Sequence, residues 1–306
     1  MPSPGAHGGD ANRMAIALGL DPAQMLDLSA SMNPSAPDVV AVVRALLDTD
    51  PYAITRYPDQ APAEARLAGA IEVDPARLVL TNGGAEAIAL VAAELGAGHV
   101  EEPEFSLYRR HLARLDPHAG RWRSNPSNPL GRLAAADDRA EVWDEAVHPL
   151  ATGRWTRGDD DTWRLGSLTK LWACPGLRIG YAIAPDAALA ERLRRRRPQW
   201  SVNGLALGVM PELLAMTDLA MWSSQIVRLR EQFVAELRAM GFATETTDVN
   251  WVLVHGPGLR NHLAPLGLVV RDCTSFGLAD VHRVAVPRQQ DLDRVVAAFG
   301  VAASRR

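Results

Sequence analysis

Through the middle of the chain, short runs of apolar and β-branched residues alternate with segments whose apolar positions recur at helical spacing. The short runs predict strands over Arg77–Leu80, Gly98–Val100, Glu141–Trp143, Thr162–Leu165 and Arg178–Ala184. The helical spacing predicts helices over Ala63–Ile71, Gly84–Leu95, Phe105–Leu115 and Asp186–Arg197. Alternation of this kind implies an α/β fold with a mainly parallel central sheet and covering helices. After Trp200 the pattern changes. Two helical segments, Gly204–Met216 and Asp218–Met240, precede a strand–helix–strand–strand–helix pattern from Asn250 to Phe299, the signature of a small α+β lobe. The expected organisation is an N-terminal arm (1–38) joining that lobe, a large domain (39–205), and a connector helix with a small C-terminal domain (206–306).

Composition narrows this only a little. A chain of 306 residues can bury a substantial core, and 47% apolar with 22% charged residues is ordinary for a globular protein. A net charge of −4 gives no reason to expect nucleic acid, and the basic run at Arg192 and Arg194–Arg197 stops at Pro198 as a solvated helix end would. Cys174 and Cys273 make no disulfide framework and fit a reducing compartment. The N-terminus lacks the apolar core of a signal peptide, and no uninterrupted apolar run is long enough to span a bilayer. A cytoplasmic protein is expected, with no membrane, nucleic-acid or metal partner.

One count does change the picture. Of 32 basic residues, 31 are arginine, and Lys170 is the only lysine. A guanidinium cannot form an imine, whereas an ammonium can lose its proton when buried or crowded by charge. Lys170 sits in Ser167-Leu-Thr169-Lys170, followed by Pro175-Gly-Leu-Arg178-Ile-Gly-Tyr181. Two hydroxyls and a guanidinium at such a turn can bind a phosphate, and the amine can reach an aldehyde on the same ligand. Ser-x-x-Lys taken alone also occurs in β-lactamases.

The full run resembles the pyridoxal-phosphate (PLP) lysine signature of fold-type I aminotransferases, in particular the histidinol-phosphate aminotransferase branch. The resemblance implies that Lys170 holds PLP covalently. Thr81-Asn-Gly-Gly84-Ala85-Glu follows a predicted strand and opens a helix, an arrangement that offers amides to a phosphate. It resembles the family's phosphate cup, with Gly84 and Ala85 as donors and Ser167, Thr169 and Arg178 beside them. Pro103-Glu-Phe-Ser-Leu-Tyr108 resembles the segment whose tyrosine stacks on the pyridine ring. Asn125-Pro-Ser-Asn128-Pro-Leu-Gly131 resembles the signature whose second asparagine binds the phenolic oxygen of PLP. Asp144, closing the strand Val142-Trp143, resembles the aspartate that pairs with the pyridine nitrogen, and an anion there keeps that nitrogen protonated. Tyr52-x-x-Thr-Arg56-Tyr57 resembles a segment whose tyrosine reaches the PLP phosphate of a neighbouring subunit, which implies a homodimer with shared sites.

His7-Gly-Gly-Asp10 and Asp27-Leu-Ser-Ala-Ser-Met-Asn33-Pro resemble the opening of threonine-phosphate decarboxylases, and so do the segments around Arg271 and Arg283. By that analogy Arg283 grips a substrate carboxylate, Arg271 a substrate phosphate, and His7 and Asn33 also face the substrate. Either arginine taken alone is also an ordinary strand-end charge. The activity so implied is decarboxylation of L-threonine O-3-phosphate to aminopropanol phosphate for the cobalamin side chain. A transaminase of a phosphorylated amino alcohol such as histidinol phosphate, and a non-catalytic PLP-binding protein, are the rivals. Three departures stand out. Val147 occupies the position of a tyrosine donor in the aminotransferases; Ser31 replaces an asparagine, and Ser35-Ala36 a glycine-containing turn. Only eleven residues separate Gly131 from Trp143, barely enough for a parallel crossover of a dozen or so residues, so some covering helices are expected to be trimmed or missing.

Overall fold

The computed structural model describes residues 3, 5 and 7–304. The N-terminal arm carries helix α1 (Ala11–Leu18) and the short strand β1 (Leu26–Asp27), and two further helices follow, α2 (Val39–Thr49) and α3 (Ala61–Ile71). Neither α1 nor α2 was apparent in the apolar pattern. Asp38 caps α2 by accepting from the Ala41 amide at 3.1 Å, and its Val and Leu side chains are only partly buried against the core.

The central sheet contains β2 (Leu78–Thr81), β3 (Ala97–Val100), β4 (Arg114–Leu115), β5 (Arg121–Ser124), β6 (Val142–Asp144), β7 (Trp163–Gly166) and β8 (Gly180–Ile183). Their spatial order is β2-β8-β7-β6-β5-β3-β4, and every pair is parallel except those made by β8. Helices α4 (Gly84–Leu95), α5 (Leu107–His111), α6 (His148–Thr152), α7 (Leu168–Leu171) and α8 (Ala187–Arg196) are interleaved with these strands. The mixed, mainly parallel architecture is the one expected. Three details differ. The helix expected over Phe105–Leu115 ends at His111, because Arg114–Leu115 pairs with β3 at the sheet edge and Arg114 N donates to Gly96 O at 3.1 Å. The strand expected from Arg178 starts at Gly180, since Arg178 adopts φ 53°. Strand β5 was missed: its Arg-Trp-Arg-Ser pattern alternates correctly, but two arginines among four residues hid it.

Between β5 and β6 there is no helix. Trp143, on β6, is fully buried, with the guanidiniums of Arg123 and Arg157 at 5.8 Å and 4.8 Å from its ring centre. Arg157 also donates to the carbonyls of Ala135 (2.8 Å), Ala136 (2.9 Å) and Asp138 (3.1 Å), tying down the connection in place of helical hydrogen bonds. The basic run is likewise occupied. Arg196 pairs with Glu94 at 3.0 Å, and Arg197 with the buried Glu64 at 2.8 Å.

Helices α9 (Gly204–Ala215) and α10 (Leu219–Ala239) are bent by 84° to one another, and no single helix among the described residues is long and apolar enough to cross a membrane. Asp218 N-caps α10 through the Met221 amide at 2.9 Å. The smaller layer comprises β9 (Ala243–Glu245), β10 (Trp251–His255), α11 (Leu259–Leu263), β11 (Leu268–Val269), β12 (Arg271–Asp272), β13 (Val281–Ala285) and α12 (Leu292–Ala303). Strands β12-β13-β10-β9 form an antiparallel sheet, while β1 pairs in parallel with β11 and so fastens the N-terminal arm to this layer.

Candidate active site

The ends of β5, β6 and β7 and the start of α4 meet β10, β12 and β13 around a cavity of about 770 Å³. Gly84, Ala85, Tyr108, Asn128, Asp144, Ser167, Thr169, Lys170 and Arg178 line it, together with His7, Arg271 and Arg283. Motifs separated by as many as 276 positions thus converge on one space.

Lys170 follows β7 directly, on α7. It is half-buried and opens on the cavity, and its amine makes no hydrogen bond or ion pair among the described residues. Burial, aided by repulsion from Arg283 and opposed by Asp144, depresses its pKa to about 8. An amine so poised is partly unprotonated near neutrality and can attack an aldehyde.

Asp144 ends β6, where its Oδ2 accepts the Tyr108 hydroxyl at 2.8 Å and its Oδ1 the Ala146 amide at 3.0 Å. Burial pushes its pKa up, while Lys170, Tyr108 and the Ala146 amide hold it down. Its neighbour Val147, buried at the cavity wall, offers no donor.

The turn before α4 depends on glycine. Gly83 has φ 78°, and a Cβ there would lie 2.5 Å from Arg178 Nη2; a Cβ on Gly180 would lie 2.6 Å from the Gly84 nitrogen. The amides of Gly84 and Ala85 open the first turn of this twelve-residue helix without a protein acceptor among the described residues. Ser167 makes no capping bond with its hydroxyl. The Thr169 hydroxyl, by contrast, is engaged by the backbone of Ile179, donating at 3.1 Å and accepting at 3.2 Å. This donor set of two free amides, a hydroxyl and a guanidinium, next to an unpaired amine and opposite a buried carboxylate, fits a phosphorylated pyridine aldehyde.

Arg283 Nη1 donates to Asn128 Oδ1 at 2.5 Å and its Nη2 to Ser29 O at 2.9 Å, with the guanidinium 5.0 Å from the Trp251 ring centre. Burial lowers its pKa to about 10, with Arg271 contributing. Arg271 lies directly opposite Arg283 across the β12–β13 ladder, donates to Ser275 Oγ at 2.6 Å and stands 5.3 Å from the Phe276 ring centre. His7 packs edge-on against Phe105 at 5.6 Å, and burial with repulsion from Arg271 and Arg110 lowers its pKa.

Two of the expected residues lie away from this cavity. Asn33 is buried behind it, donating to Leu171 O at 2.9 Å and accepting from the Ser35 amide at 2.9 Å, so it braces the loop behind Lys170. Tyr57 is 80% exposed and packs on Trp200 at 4.5 Å between ring centres. Residues not foreseen include Arg110, Trp251 and Phe276, all on the cavity wall. Trp251 donates from Nε1 to Pro129 O at 2.9 Å, joining the small sheet to the Asn-Pro turn. No spacing rule in the sequence singles these out.

A family profile described as aminotransferase class I and II matches residues 122–299. The threonine-phosphate decarboxylase of Salmonella typhimurium is 30% identical over 351 aligned positions, covering 96% of this chain and 95% of that protein. Histidinol-phosphate aminotransferase 2 of Pseudomonas aeruginosa is 29% identical, covering 97% and 94%. Among solved structures, the histidinol-phosphate aminotransferase of Sinorhizobium meliloti in complex with pyridoxal-5'-phosphate superposes with a TM-score of 0.79 at 16% identity, covering 96% of this chain and 95% of that one. The fold is therefore that of the PLP-dependent enzymes of fold type I. The chain belongs to the class I and II aminotransferase family, and its cofactor is pyridoxal phosphate.

Proposed function

We propose that this protein decarboxylates L-threonine O-3-phosphate to aminopropanol phosphate, a step in cobalamin side-chain synthesis. The observation that carries the reading is the cross-strand pair Arg271 and Arg283. Like charges directly opposite one another on a ladder are unfavourable, and these two are 3% and 6% exposed on a cavity wall. A ligand with two anionic groups relieves that repulsion, and threonine phosphate has a carboxylate and a phosphate. The Salmonella relative's name agrees with this substrate.

When bound, PLP supplies the electron sink for the pair released at the substrate's α-carbon. Lys170 is the residue to carry it, the amides of Gly84 and Ala85 with Ser167 and Arg178 to hold its phosphate, and Tyr108 to cover its ring. Thr169 stands beside this phosphate site and fixes the chain there through Ile179. Asp144 would hold a proton on the pyridine nitrogen, and Asn128 would bind the phenolic oxygen. Arg283 orients the carboxylate, and Arg271 with His7 holds the distal phosphate, which keeps the substrate from rotating. Asn33 supports Lys170 from behind. With its lowered pKa, Lys170 would be the group to return a proton to the α-carbon. Val147 leaves the phenolic side without the hydroxyl donor expected of a transaminase.

The protein acts as a cytoplasmic homodimer in this reading. Tyr57, Tyr52, Ile54 and Trp200 are 80%, 65%, 62% and 52% exposed, a large apolar surface for a monomer to leave in water. Tyr57 then reaches the partner's cofactor. Transamination of histidinol phosphate is the second reading, favoured by the Pseudomonas relative. Incubation with threonine phosphate, with CO₂ and keto acid measured separately, tests the choice. Release of CO₂ without keto acid is expected; keto-acid-dependent turnover of histidinol phosphate with no CO₂ would leave the transaminase standing.

A further inference from the structure

Glu104 is 5% exposed, lies outside the cavity lining and has no part in the chemistry described above. Three donors converge on its two oxygens. Oε1 accepts the Ser124 amide at 2.9 Å, and Oε2 accepts the Ser124 hydroxyl and the Phe105 amide, the latter at 3.1 Å. Because the Ser124 hydroxyl gives its hydrogen to Glu104, its oxygen is free to accept the Asn128 amide, which it does at 2.9 Å. Asn128 in turn accepts from Arg283. A path thus runs from a buried carboxylate through the Ser124 hydroxyl to the Asn128 backbone amide, and from the Asn128 side chain to the Arg283 guanidinium.

We propose that Glu104 is a positioning residue, whose carboxylate sets the direction of the Ser124 hydroxyl and through it holds Asn128 and Arg283 in their places at the cofactor and substrate. The proposal rests on the PLP reading of the site. Only the acceptor-only form of the carboxylate suits three donors. Burial acts against that form and raises the Glu104 pKa to about 7, with the Ser124 and Phe105 bonds opposing. The charged and titratable groups around it are Asp144 on β6, Tyr108 on α5, and Glu102, which accepts the Glu104 amide at 2.9 Å and pairs with Arg109. As pH rises through about 7, Glu104 gains a charge beside Asp144 and the chain of bonds becomes fully aligned.

Glutamine matches the shape but not the bonding. Its NH₂ must face either the Ser124 amide or the Ser124 hydroxyl and Phe105 amide. Facing the hydroxyl, it turns the Ser124 hydrogen toward the Asn128 amide and breaks the chain. Ser124→Ala breaks the same chain one step later. Glu104→Gln and Ser124→Ala should each weaken PLP binding to the apoprotein about tenfold, and the double variant should also be about tenfold weaker, not about a hundredfold. Glu104→Gln should also lower the pH midpoint of the bound cofactor's visible absorption change, since it removes an anion beside Asp144. A role confined to stability would not move that midpoint.

The measurements are absorbance titrations of PLP into each apoprotein, with circular dichroism as the control for folding. Additive losses in the double variant, or unchanged PLP binding and midpoint in Glu104→Gln, would overturn the proposal. If Glu104→Gln does not fold, Ser124→Ala decides alone, and undiminished PLP binding by it overturns the proposal. A wild-type protein that binds no PLP would refute the cofactor reading itself, and this inference with it.

Discussion

Replacing Lys170 with methionine should stabilise the apoprotein while abolishing its chemistry. The lysine's pKa falls from an ordinary 10.5 to about 8 in the folded chain, chiefly through burial and secondarily through Arg283. At about 1.4 kcal/mol per pH unit, holding the charged amine in the fold costs about 3 kcal/mol. The folded pKa lies below the unfolded one, so the unfolded chain binds the extra proton. The cost is therefore full below about pH 8 and is recovered as pH rises from about 8 to 10.5. Methionine has similar length and no charge, so Lys170→Met should gain about 3 kcal/mol near neutrality, and the advantage should shrink steadily above about pH 8. Urea unfolding of both apoproteins across that range measures it. An equal or lower urea midpoint for Lys170→Met near neutrality would refute the argument that this amine is held in the cavity at a cost to stability.

Three further outcomes follow from the site. Borohydride reduction of the yellow holoprotein should fix PLP on the peptide containing Lys170, and Lys170→Ala should carry no reducible label. Arg271→Ala should weaken binding of a phosphorylated substrate by about 2–5 kcal/mol without altering the cofactor spectrum, whereas Arg283→Ala should impair α-amino acid substrates and spare an amino alcohol; titrations with both substrate types separate the two. Mixing inactive Lys170→Ala with inactive Tyr57→Phe subunits should restore activity once the subunits exchange, and no recovery after proven exchange would count against a shared site.

The elements on the lysine side of the cavity could be read from the chain because each is announced locally. The Thr81–Glu86 turn needs glycine where φ is positive, and the single lysine stands out against 31 arginines. The substrate side was legible only through resemblance. Nothing local shows that Arg271 and Arg283 face each other, because that depends on the β12–β13 register. Glu104 carried no signal at all: an acid before Phe105 reads as a surface charge until the chain folds over it. Asn33 shows the reverse problem, since its motif placed it near the substrate but its amide is engaged by Leu171 and Ser35. Helix α5 stopped early for a non-local reason, the pairing of β4 with β3.

The helix-free connection from β5 to β6 has a consequence for anyone wishing to rebuild this scaffold. Its two ends are the turn bearing Asn128 and the strand bearing Asp144, and residues 132–140 between them form no helix or strand and are held at several anchors. Arg157 grips the carbonyls of Ala135, Ala136 and Asp138, Asp138 pairs with Arg123 at 2.7 Å, and Asp248 takes the Leu133 amide at 2.8 Å. The stretch behaves as a short cable clipped at known points. Chain can be spliced in between the clips, a grafted helix or a reporter domain, with the two ends left at their present separation. In this protein the shortest path between the segments bearing Asn128 and Asp144 is also the natural port for new parts.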